Sequence, residues 1–177
     1  MRLALFLMAV SAALALTTGV YAKNSGAKHA SAVLKNSSND VVGFARFTGD
    51  ATGTVHVNVH IKGISAGLHG THIHTTGVCT PPSFSSAEGH HNPLGKEHGL
   101  ENPDGPHAGD LPNLTVNKAG VGHLNTTTDR VTLSPGTTTL FDGNGSALVV
   151  HAAEDDQETD PTGNSGARIA CGLITRD

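Results

Sequence analysis

The chain has 177 residues, with 11 Lys and Arg against 15 Asp and Glu, so its formal net charge is −4 when histidine is neutral. This acidic balance argues against nucleic acid and anionic membrane surfaces as partners. Tryptophan is absent, aromatic residues make up 3% of the chain, and 22 glycines are present. A composition rich in Gly, Thr, Val and Asn predicts a turn-rich β protein of one domain rather than a helical bundle.

Residues 1–22 have the pattern of a secretory signal, with Arg2, an uncharged apolar run at Leu3–Leu16 and small residues before the expected cleavage point. The apolar run is shorter than the roughly 20 residues that a membrane-spanning helix needs. We therefore expect a signal peptide and an exported protein, periplasmic or extracellular, without a stable membrane anchor. Residues 23–30 are small, polar and charged, which predicts a flexible mature N-terminus, and residues 31–177 are expected to form the single domain.

Alternating apolar and polar residues mark the strands of the predicted fold. In TVHVNVHI, residues 54–61, four aliphatic side chains point to one face and His56, Asn58 and His60 to the other. This period of two predicts a half-buried antiparallel strand with both histidines facing solvent. Seven further runs predict strands, at Ser31–Lys35, Val41–Phe47, Leu68–Thr75, Leu114–Asn117, Gly122–Thr127, Ser146–His151 and Arg168–Leu173. Short strands joined by turns such as NSSND and DGNGS predict an all-β fold, an eight-stranded Greek-key β-sandwich or barrel.

Two long segments interrupt this pattern. Residues 75–111 are rich in Gly, Pro, Ser and His, and a loop of that length in a compact domain is normally functional or disordered. Residues 152–167 form a second loop, which is acidic and contains no lysine. The first loop contains four of seven candidate metal ligands, so metal binding can supply the order that its local sequence lacks. The seven candidates are His72, His74, His90, His98, His107, Asp110 and His151.

These candidates fit two neighbouring metal ions better than one. His72 and His74 are two residues apart, so in a strand both point to the same face. An isolated His-x-His pair is more often solvated than a ligand pair, and any single candidate could be a surface or core residue. Six imidazoles and one carboxylate together exceed the needs of one ion. Three imidazoles and the carboxylate suit tetrahedral zinc, the remaining imidazoles suit copper, and one histidine can serve both ions.

The chain has two cysteines, Cys79 and Cys171. An even count in an exported protein favours one disulfide between the middle of the chain and its last predicted strand, and two buried free thiols are the alternative. Such a bond would close a loop of about 93 residues and stabilise the fold by roughly 4 to 5 kcal/mol.

The motifs around the candidate ligands resemble one known family. GLHGTHIH, GHHNP, HGLENPDGPHAGDL, VVHAAEDD and TGNSGARIACG follow one another as in the copper/zinc superoxide dismutases, and CTPPSFSSA is similar to a stretch of the exported bacterial members. The resemblance extends over about residues 31–174. It implies a β-sandwich with long metal-binding loops, one copper and one zinc ion per subunit, and conversion of superoxide to dioxygen and hydrogen peroxide. Assembly varies within the family, so both a monomer and a homodimer stay open.

The resemblance also implies which residues hold each ion. The implied copper ligands are His72, His74, His90 and His151. The implied zinc ligands are His90, His98, His107 and Asp110. His90 would therefore bridge the two ions, and as a catalytic residue it would pass a proton to the second substrate.

Residues around the ligands have implied roles too. Asp155 would hold His72 and His98 from outside the two sites, and such partners fix the orientation of an imidazole ligand. Arg168, which by its sequence alone would be a surface residue at a strand edge, would hold the anionic substrate beside copper. His69 would be a structural histidine behind the site rather than a ligand. Cys79 and Cys171 match the family disulfide.

Some features differ from the family pattern without removing a ligand. His91 follows the bridging histidine where an aromatic residue is usual, and Glu88 stands where a small residue is common. The loop after His151 contains five acidic residues and no lysine, namely Glu154, Asp155, Asp156, Glu158 and Asp160. Since superoxide is an anion, electrostatic steering toward the site is expected to be weak.

A noncatalytic copper/zinc-binding domain of the same fold is the alternative function. His151 and Arg168 are both present, which argues against it, because metal storage needs no anion-binding arginine and loss of a copper ligand is the simplest route to inactivity. A zinc hydrolase is a third possibility. It would need an open zinc position and a general-base carboxylate, and the chain contains no His-Glu-x-x-His motif.

Overall fold

The computed structural model describes residues 29–177. The expected signal peptide and residues 23–28 of the expected flexible N-terminus lie outside the described residues. The described part consists of β-strands and loops, with a single turn of 3-10 helix at Ser85–Ala87. The strands are β1 His29–Asn36, β2 Val41–Gly49, β3 Val55–Lys62, β4 Gly67–His69, β5 Thr71–His74, β6 Leu114–Val116, β7 Val121–Thr128, β8 Ala147–His151, β9 Arg168–Leu173 and β10 Thr175–Arg176. Within residues 29–177, no helix has the length and apolar character needed to cross a membrane.

Antiparallel pairing joins the strands into one sheet in the order β4-β6-β7-β3-β2-β1-β9-β8-β5, and β10 pairs with β1. β4 and β5 lie at opposite ends of this order, but Gly70 alone separates them in the chain. Because the chain is continuous there, the two ends of the sheet meet and the sheet forms a nearly closed barrel. The predicted all-β sandwich or barrel is confirmed.

The predicted strand Leu68–Thr75 is divided in two at Gly70, which the alternation of its residues did not indicate. β4 pairs with β6, whereas β5 pairs with β8 at the other end of the sheet. The Gly70 amide donates to the carbonyl oxygen of Ala153 at 2.8 Å, so the acidic loop lies directly against the break. A Cβ atom at position 70 would lie 2.6 Å from the Cβ of Ser165. Glycine therefore allows the loop to pack at the point where the barrel closes.

The barrel core follows the alternation of the sequence. In β3, four aliphatic side chains are at most 2% exposed, while His56 and Asn58 are exposed. These inward side chains pack with Leu34, Phe47 and Leu124 in one apolar cluster. Burial of each such side chain contributes about 1.5 to 3 kcal/mol. The barrel is therefore held by apolar burial and by pairing of β3 with β2 up to Ile61 and with β7 over its full length.

The ends of the described domain differ slightly from the prediction. β1 begins at His29, opposite Thr48 of β2, so the last two residues of the expected flexible segment belong to a strand. The pairing with β2 supplies the hydrogen bonds that order them. β10 was not predicted. It is two residues long and pairs with the start of β1, which brings the C-terminus beside the first described strand.

Candidate metal centre

β5 places the His-x-His pair in the interior of the protein. All four residues of β5 are buried. One edge of β5 pairs with β8, and the loop at residues 75–111 lies along the other edge. The Ile73 amide donates to the carbonyl oxygen of Gly109 at 2.8 Å, and the His91 amide donates to the carbonyl oxygen of Ile73 at 2.8 Å. A Cβ at position 109 would lie 2.2 Å from the Ile73 oxygen, so glycine permits this approach and the loop is ordered against β5.

The first candidate site is a cluster of four imidazoles. His72 and His74 come from β5, His90 from the long loop and His151 from the end of β8. One nitrogen from each ring lies within 4.8 Å of the corresponding nitrogen of every other ring. The four residues are at most 8% exposed, so solvent does not separate them.

Unpaired nitrogens face one another in this first cluster. Nε2 of His72 donates to Oδ2 of Asp155 at 2.5 Å, and Nδ1 of His74 donates to the carbonyl oxygen of Glu88 at 2.8 Å. The second nitrogen of each ring has no hydrogen-bond partner, although buried polar atoms are normally paired. Four imidazole nitrogens in this arrangement are a donor set that suits copper. The four unpaired atoms are Nδ1 of His72 and Nε2 of His74, His90 and His151.

The second candidate site surrounds the carboxylate of Asp110. Its Oδ1 lies 3.0 Å from Nδ1 of His90, 3.1 Å from Nδ1 of His98 and 3.4 Å from Nδ1 of His107. Its Oδ2 accepts hydrogen bonds from the amides of Gly99 and His107 at 3.0 and 2.9 Å, which fixes the orientation of the carboxylate. Three imidazole nitrogens and one carboxylate oxygen are a donor set that tetrahedral zinc takes.

His90 belongs to both clusters. Its Nδ1 faces Asp110, while its Nε2 is one of the unpaired atoms of the first cluster. His72 also lies within 4.8 Å of His90, His98 and Asp110, although its Nε2 is bonded to Asp155. His107 has its Nδ1 3.3 Å from Nδ1 of His90. The structure therefore brings all seven sequence-predicted ligands together around one shared imidazole.

The carboxylate of Asp155 contacts one histidine of each cluster. One carboxylate oxygen accepts from Nε2 of His72, and the other lies 3.1 Å from Nε2 of His98. The amide of Gln157 donates to the second oxygen at 2.7 Å, so the carboxylate is held by its own loop. A carboxylate in this position fixes the tautomer and orientation of both rings.

Sequence reasoning missed the residues that position Asp155 and Asp110. The Asn113 side chain donates to the backbone oxygen of Asp155 at 2.8 Å and accepts from its amide at 2.9 Å. The Arg130 guanidinium donates to the carbonyl oxygen of Asp110 at 2.6 Å. Each contact is made to backbone, and backbone acceptors leave no pattern in a sequence. No motif could have identified them.

Burial and neighbouring charges set the protonation of the imidazoles. Desolvation lowers the pKa of His72 to about 3 and that of His151 to about 4, so both rings are neutral at pH 7. Burial also acts on His98, but hydrogen bonds to Asp110 and Asp155 outweigh it and raise the pKa of His98 to about 9. Burial alone would raise the pKa values of both carboxylates, but hydrogen bonds hold them below the usual range. The bonds come chiefly from His107 and His90 for Asp110 and from His72 for Asp155, with His98 contributing to both. A cation entering the second site must therefore displace a proton from His98.

Arg168 lies at the start of β9, opposite His151 of β8. Its guanidinium donates to the carbonyl oxygens of Phe84 and Glu88 at 2.7 and 2.5 Å. These two hydrogen bonds hold the positively charged guanidinium at a cavity of about 650 Å³ that opens onto the first cluster. Side chains of the clusters and of the acidic loop line this cavity, among them His74, His90, His151, Thr162, Asn164 and Arg168.

The predicted disulfide joins Cys79 to Cys171, with Cα atoms 5.7 Å apart. It connects the loop at residues 75–111 to β9, the strand that begins with Arg168. Glu88, the departure from the family pattern, acts here through its backbone, because its carbonyl oxygen accepts from both His74 and Arg168. Its side chain is exposed, so the larger residue is accommodated.

Two further histidines lie near the clusters without joining them. His69 is 2% exposed, and its Nδ1 donates to the carbonyl oxygen of His151 at 2.7 Å. It therefore supports the end of β8 rather than offering a nitrogen to either cluster. His91 is also buried, and its amide bonds to Ile73, so it lies beside β5.

Hydrogen bonds pair part of the negative charge of the acidic loop. Asp156 accepts hydrogen bonds from the amides of Glu158 and Thr159 and from the side chain of Asn164. Asp160 accepts from the amide of His98 at 2.7 Å. The loop also contacts the first cluster, since Nδ1 of His151 donates to the carbonyl oxygen of Gly166 at 3.0 Å.

The chain is similar to known members of one protein family. The sequence model of the copper/zinc superoxide dismutases matches residues 41–174. The chain is 44% identical over 147 residues to a Cu-Zn superoxide dismutase of Aquifex aeolicus, an alignment covering 82% of this chain and 85% of that protein. It is 38% identical over 148 residues to the Cu-Zn superoxide dismutase of Caulobacter vibrioides, covering 82% and 84%.

A solved structure gives the same result for the fold. The crystal structure of a SOD-like protein from Bacillus subtilis superposes with a TM-score of 0.77 at 38% identity, covering 84% of this chain and 99% of that one. Sequence pattern, relatives and fold agree over most of the described residues, and the chain belongs to the copper/zinc superoxide dismutase family.

Proposed function

We propose that the chain is a superoxide dismutase, an oxidoreductase that converts superoxide to dioxygen and hydrogen peroxide at a histidine-bridged copper/zinc site. One observation carries the proposal. Four buried imidazole nitrogens without hydrogen-bond partners face one another beside the fixed guanidinium of Arg168. This combination provides a redox metal site and an anion-binding group in one cavity.

Copper and zinc are assigned to the two clusters by their donor atoms. Copper would be held by Nδ1 of His72 and by Nε2 of His74, His90 and His151. Zinc would be held by Nδ1 of His90, His98 and His107 and by Oδ1 of Asp110. The all-imidazole set supports copper, and the carboxylate in the other set supports zinc.

The chain's own residues then bind substrate and move protons. Bound copper supplies one-electron exchange with two successive superoxide anions, and bound zinc supplies a fixed positive charge beside the shared ring. Nε2 of His90 would bind copper and a proton in turn: it would take a proton from solvent while copper is reduced and release that proton to the second superoxide. With a second proton from solvent, two superoxide anions would give one dioxygen and one hydrogen peroxide. Asp155 keeps the rings of His72 and His98 in orientation while this proton moves.

Arg168 is assigned the role of substrate anchor. Its two hydrogen bonds to loop carbonyls hold the guanidinium in place, so a small anion meets a cation that needs no rearrangement. Burial lowers the pKa of Arg168, but a guanidinium stays charged at any physiological pH. The disulfide supports this geometry, since it links β9 to the loop that provides both carbonyls.

The alternative is a noncatalytic metal-binding domain of the same fold. His151 completes the four-imidazole cluster, and Arg168 lies at the cavity that opens onto it. A protein that only stores metal needs neither an open cavity nor a positioned cation there. Both features favour the catalytic function.

The His151→Ala variant tests this proposal. It removes one nitrogen of the first cluster and none of the second, so superoxide turnover should be abolished while zinc is retained. His56→Ala is the matched control, because His56 is an exposed histidine on the outer face of β3. It should keep full turnover and both metals. Simultaneous loss of zinc in His151→Ala would contradict the division of ligands, and unchanged turnover would contradict the activity.

Export to the periplasm or the cell exterior is also proposed, through cleavage of residues 1–22. The disulfide supports this location because such bonds persist in oxidising compartments. Mass spectrometry of the protein recovered outside the cytoplasm should give a chain that begins at Lys23. Recovery of the full-length chain from the cytoplasm would contradict export. Sedimentation of the same sample distinguishes a monomer from a homodimer.

A further inference from the structure

A pair of histidines lies on the outer face of the barrel, apart from the metal centre. His60 of β3 and His123 of β7 are directly opposite each other in the antiparallel register. Their Nδ1 atoms are 3.1 Å apart and share one hydrogen bond, whose proton an ion bound to both atoms would displace; their ring centroids are 4.3 Å apart with the planes inclined by 57°. His60 is half-buried and His123 is exposed, so a solvated ion can reach both rings.

The separation of the two nitrogens matches that of two ligands on one ion. Metal–imidazole bonds are about 2.0 to 2.1 Å long, so two nitrogens at square-planar or tetrahedral angles lie roughly 2.9 to 3.4 Å apart. We propose that His60 and His123 form a third, solvent-facing metal site that binds one copper(II) ion through the two Nδ1 atoms, with water completing the coordination.

The neighbours of the pair support a rigid chelate. Phe44 of β2 lies opposite His60 in the register and stacks on its ring, with centroids 5.4 Å apart and planes inclined by 30°. Thr115 of β6 lies opposite His123 on the other side. Stacking against Phe44 limits rotation of the His60 ring, so less freedom is lost when an ion binds.

The donor atoms, and not the surrounding charges, indicate which metal the site would bind. The next positions along β2 and β3 place Arg46 beside Asn58 on one side of the pair and Lys62 on the other. These neighbours are neutral or cationic, so binding must come from the nitrogen donors and not from attraction by carboxylates. Imidazole donors favour copper(II) over the other divalent ions of the first transition row and suit calcium and magnesium poorly.

The pair is independent of the proposed catalytic site. In the sheet order, β2 and β1 separate β3 from the β9-β8-β5 end, which carries Arg168, His151 and the His-x-His pair. Neither histidine contributes to the two metal clusters. The inference therefore does not rest on the proposed activity and can be tested without measuring it.

The test is a titration of the purified protein, already loaded with copper and zinc, with copper sulfate. Equilibrium dialysis and electron paramagnetic resonance measure the additional copper(II). The unchanged protein should bind one additional ion, with a spectrum showing two nitrogen ligands. His60→Gln and His123→Gln should each weaken this binding by about tenfold or more, because one imidazole alone loses the chelate effect.

His56→Gln is the matched control, since it removes an exposed histidine from the same face of β3 that lies opposite Thr127 rather than another histidine. It should leave the additional binding unchanged. Metal content of the catalytic site in every variant verifies that the barrel has folded. The proposal is overturned if no additional ion binds, if all three variants bind like the unchanged protein, or if one member of the pair proves dispensable.

Discussion

The sheet of β2, β3 and β7 and the loops at residues 75–111 and 152–167 differ in the side chains that they bury. In the sheet, the inward residues are aliphatic or aromatic, and the backbone is paired along the whole length of β3. In the loops, four imidazoles and two carboxylates are buried beside a few apolar side chains such as Phe84 and Leu111. Apolar burial alone can order the first region, whereas the second requires ligands for its polar groups. Apolar burial therefore orders the sheet and metal binding orders the loops, so a change to one of them should affect one region more than the other.

Of all the changes considered, removal of both metals should lower the free energy of unfolding most, and it should affect the two loops and not the sheet. Metal binding contributes to the free energy of unfolding, so chelation should lower it by about 5 to 10 kcal/mol. Hydrogen exchange measured by mass spectrometry should accelerate at residues 75–111 and 152–167, while β3 stays protected. Zinc added back alone should restore protection around His98 and Asp110. Equal acceleration in β3 and the loops would contradict the comparison.

Replacement of both cysteines by serine should have the next largest effect. The bond joins residues 92 apart in sequence, and its loss should lower the free energy of unfolding by about 4 kcal/mol. Turnover should fall as well, because the loop that the bond anchors provides both carbonyl acceptors of Arg168. Urea unfolding and a superoxide assay measure the two effects. Full turnover in the variant without the two cysteines would show that the disulfide does not position Arg168.

The Asp155→Asn variant sharpens the comparison within the loops. His72 and His98 each bond to a different oxygen of Asp155, and an amide would replace one of these oxygens with an NH2 group, so affinity for both metals should fall by about 10- to 100-fold. Competition with a chromophoric chelator measures this affinity. Asp156→Asn is the control, because the carboxylate of Asp156 bonds only within its own loop among the described contacts. Equal losses in the two variants would mean that Asp155 acts through the loop and not through the imidazoles.

Ionic strength should have the smallest effect. The acidic loop near the cavity offers superoxide no lysine, so the rate should change by less than about threefold between low and physiological salt. Stopped-flow decay of superoxide at several salt concentrations measures this. Glu154→Lys places a cation at an exposed position of that loop and should raise the rate at low salt and steepen its salt dependence. A steep fall in the unchanged protein would reveal a basic rim elsewhere.

The strands and the candidate ligands could be identified because each leaves a local pattern. Alternation identified β3, and the spacing of His72 and His74 identified one face of β5. The division at Gly70 was not predicted, because the two short halves adjoin in the sequence while pairing with different partners. β10 is two residues long and has no period to detect.

The support of the site was harder to predict than its ligands. Asn113 and Arg130 act on the backbones of Asp155 and Asp110, and Glu88 acts through its own carbonyl oxygen. Such contacts depend on how distant segments meet in three dimensions. The sequence shows which atoms can bind a metal, whereas the fold decides which of them are held in place.

Metal analysis of the purified protein together with superoxide decay in the same sample tests the account most directly. We predict one copper and one zinc ion per chain at the two clusters, and catalytic removal of superoxide that is lost when copper alone is withdrawn. A protein that holds a single ion at these clusters, or that holds both and leaves superoxide decay at its uncatalysed rate, would contradict the account.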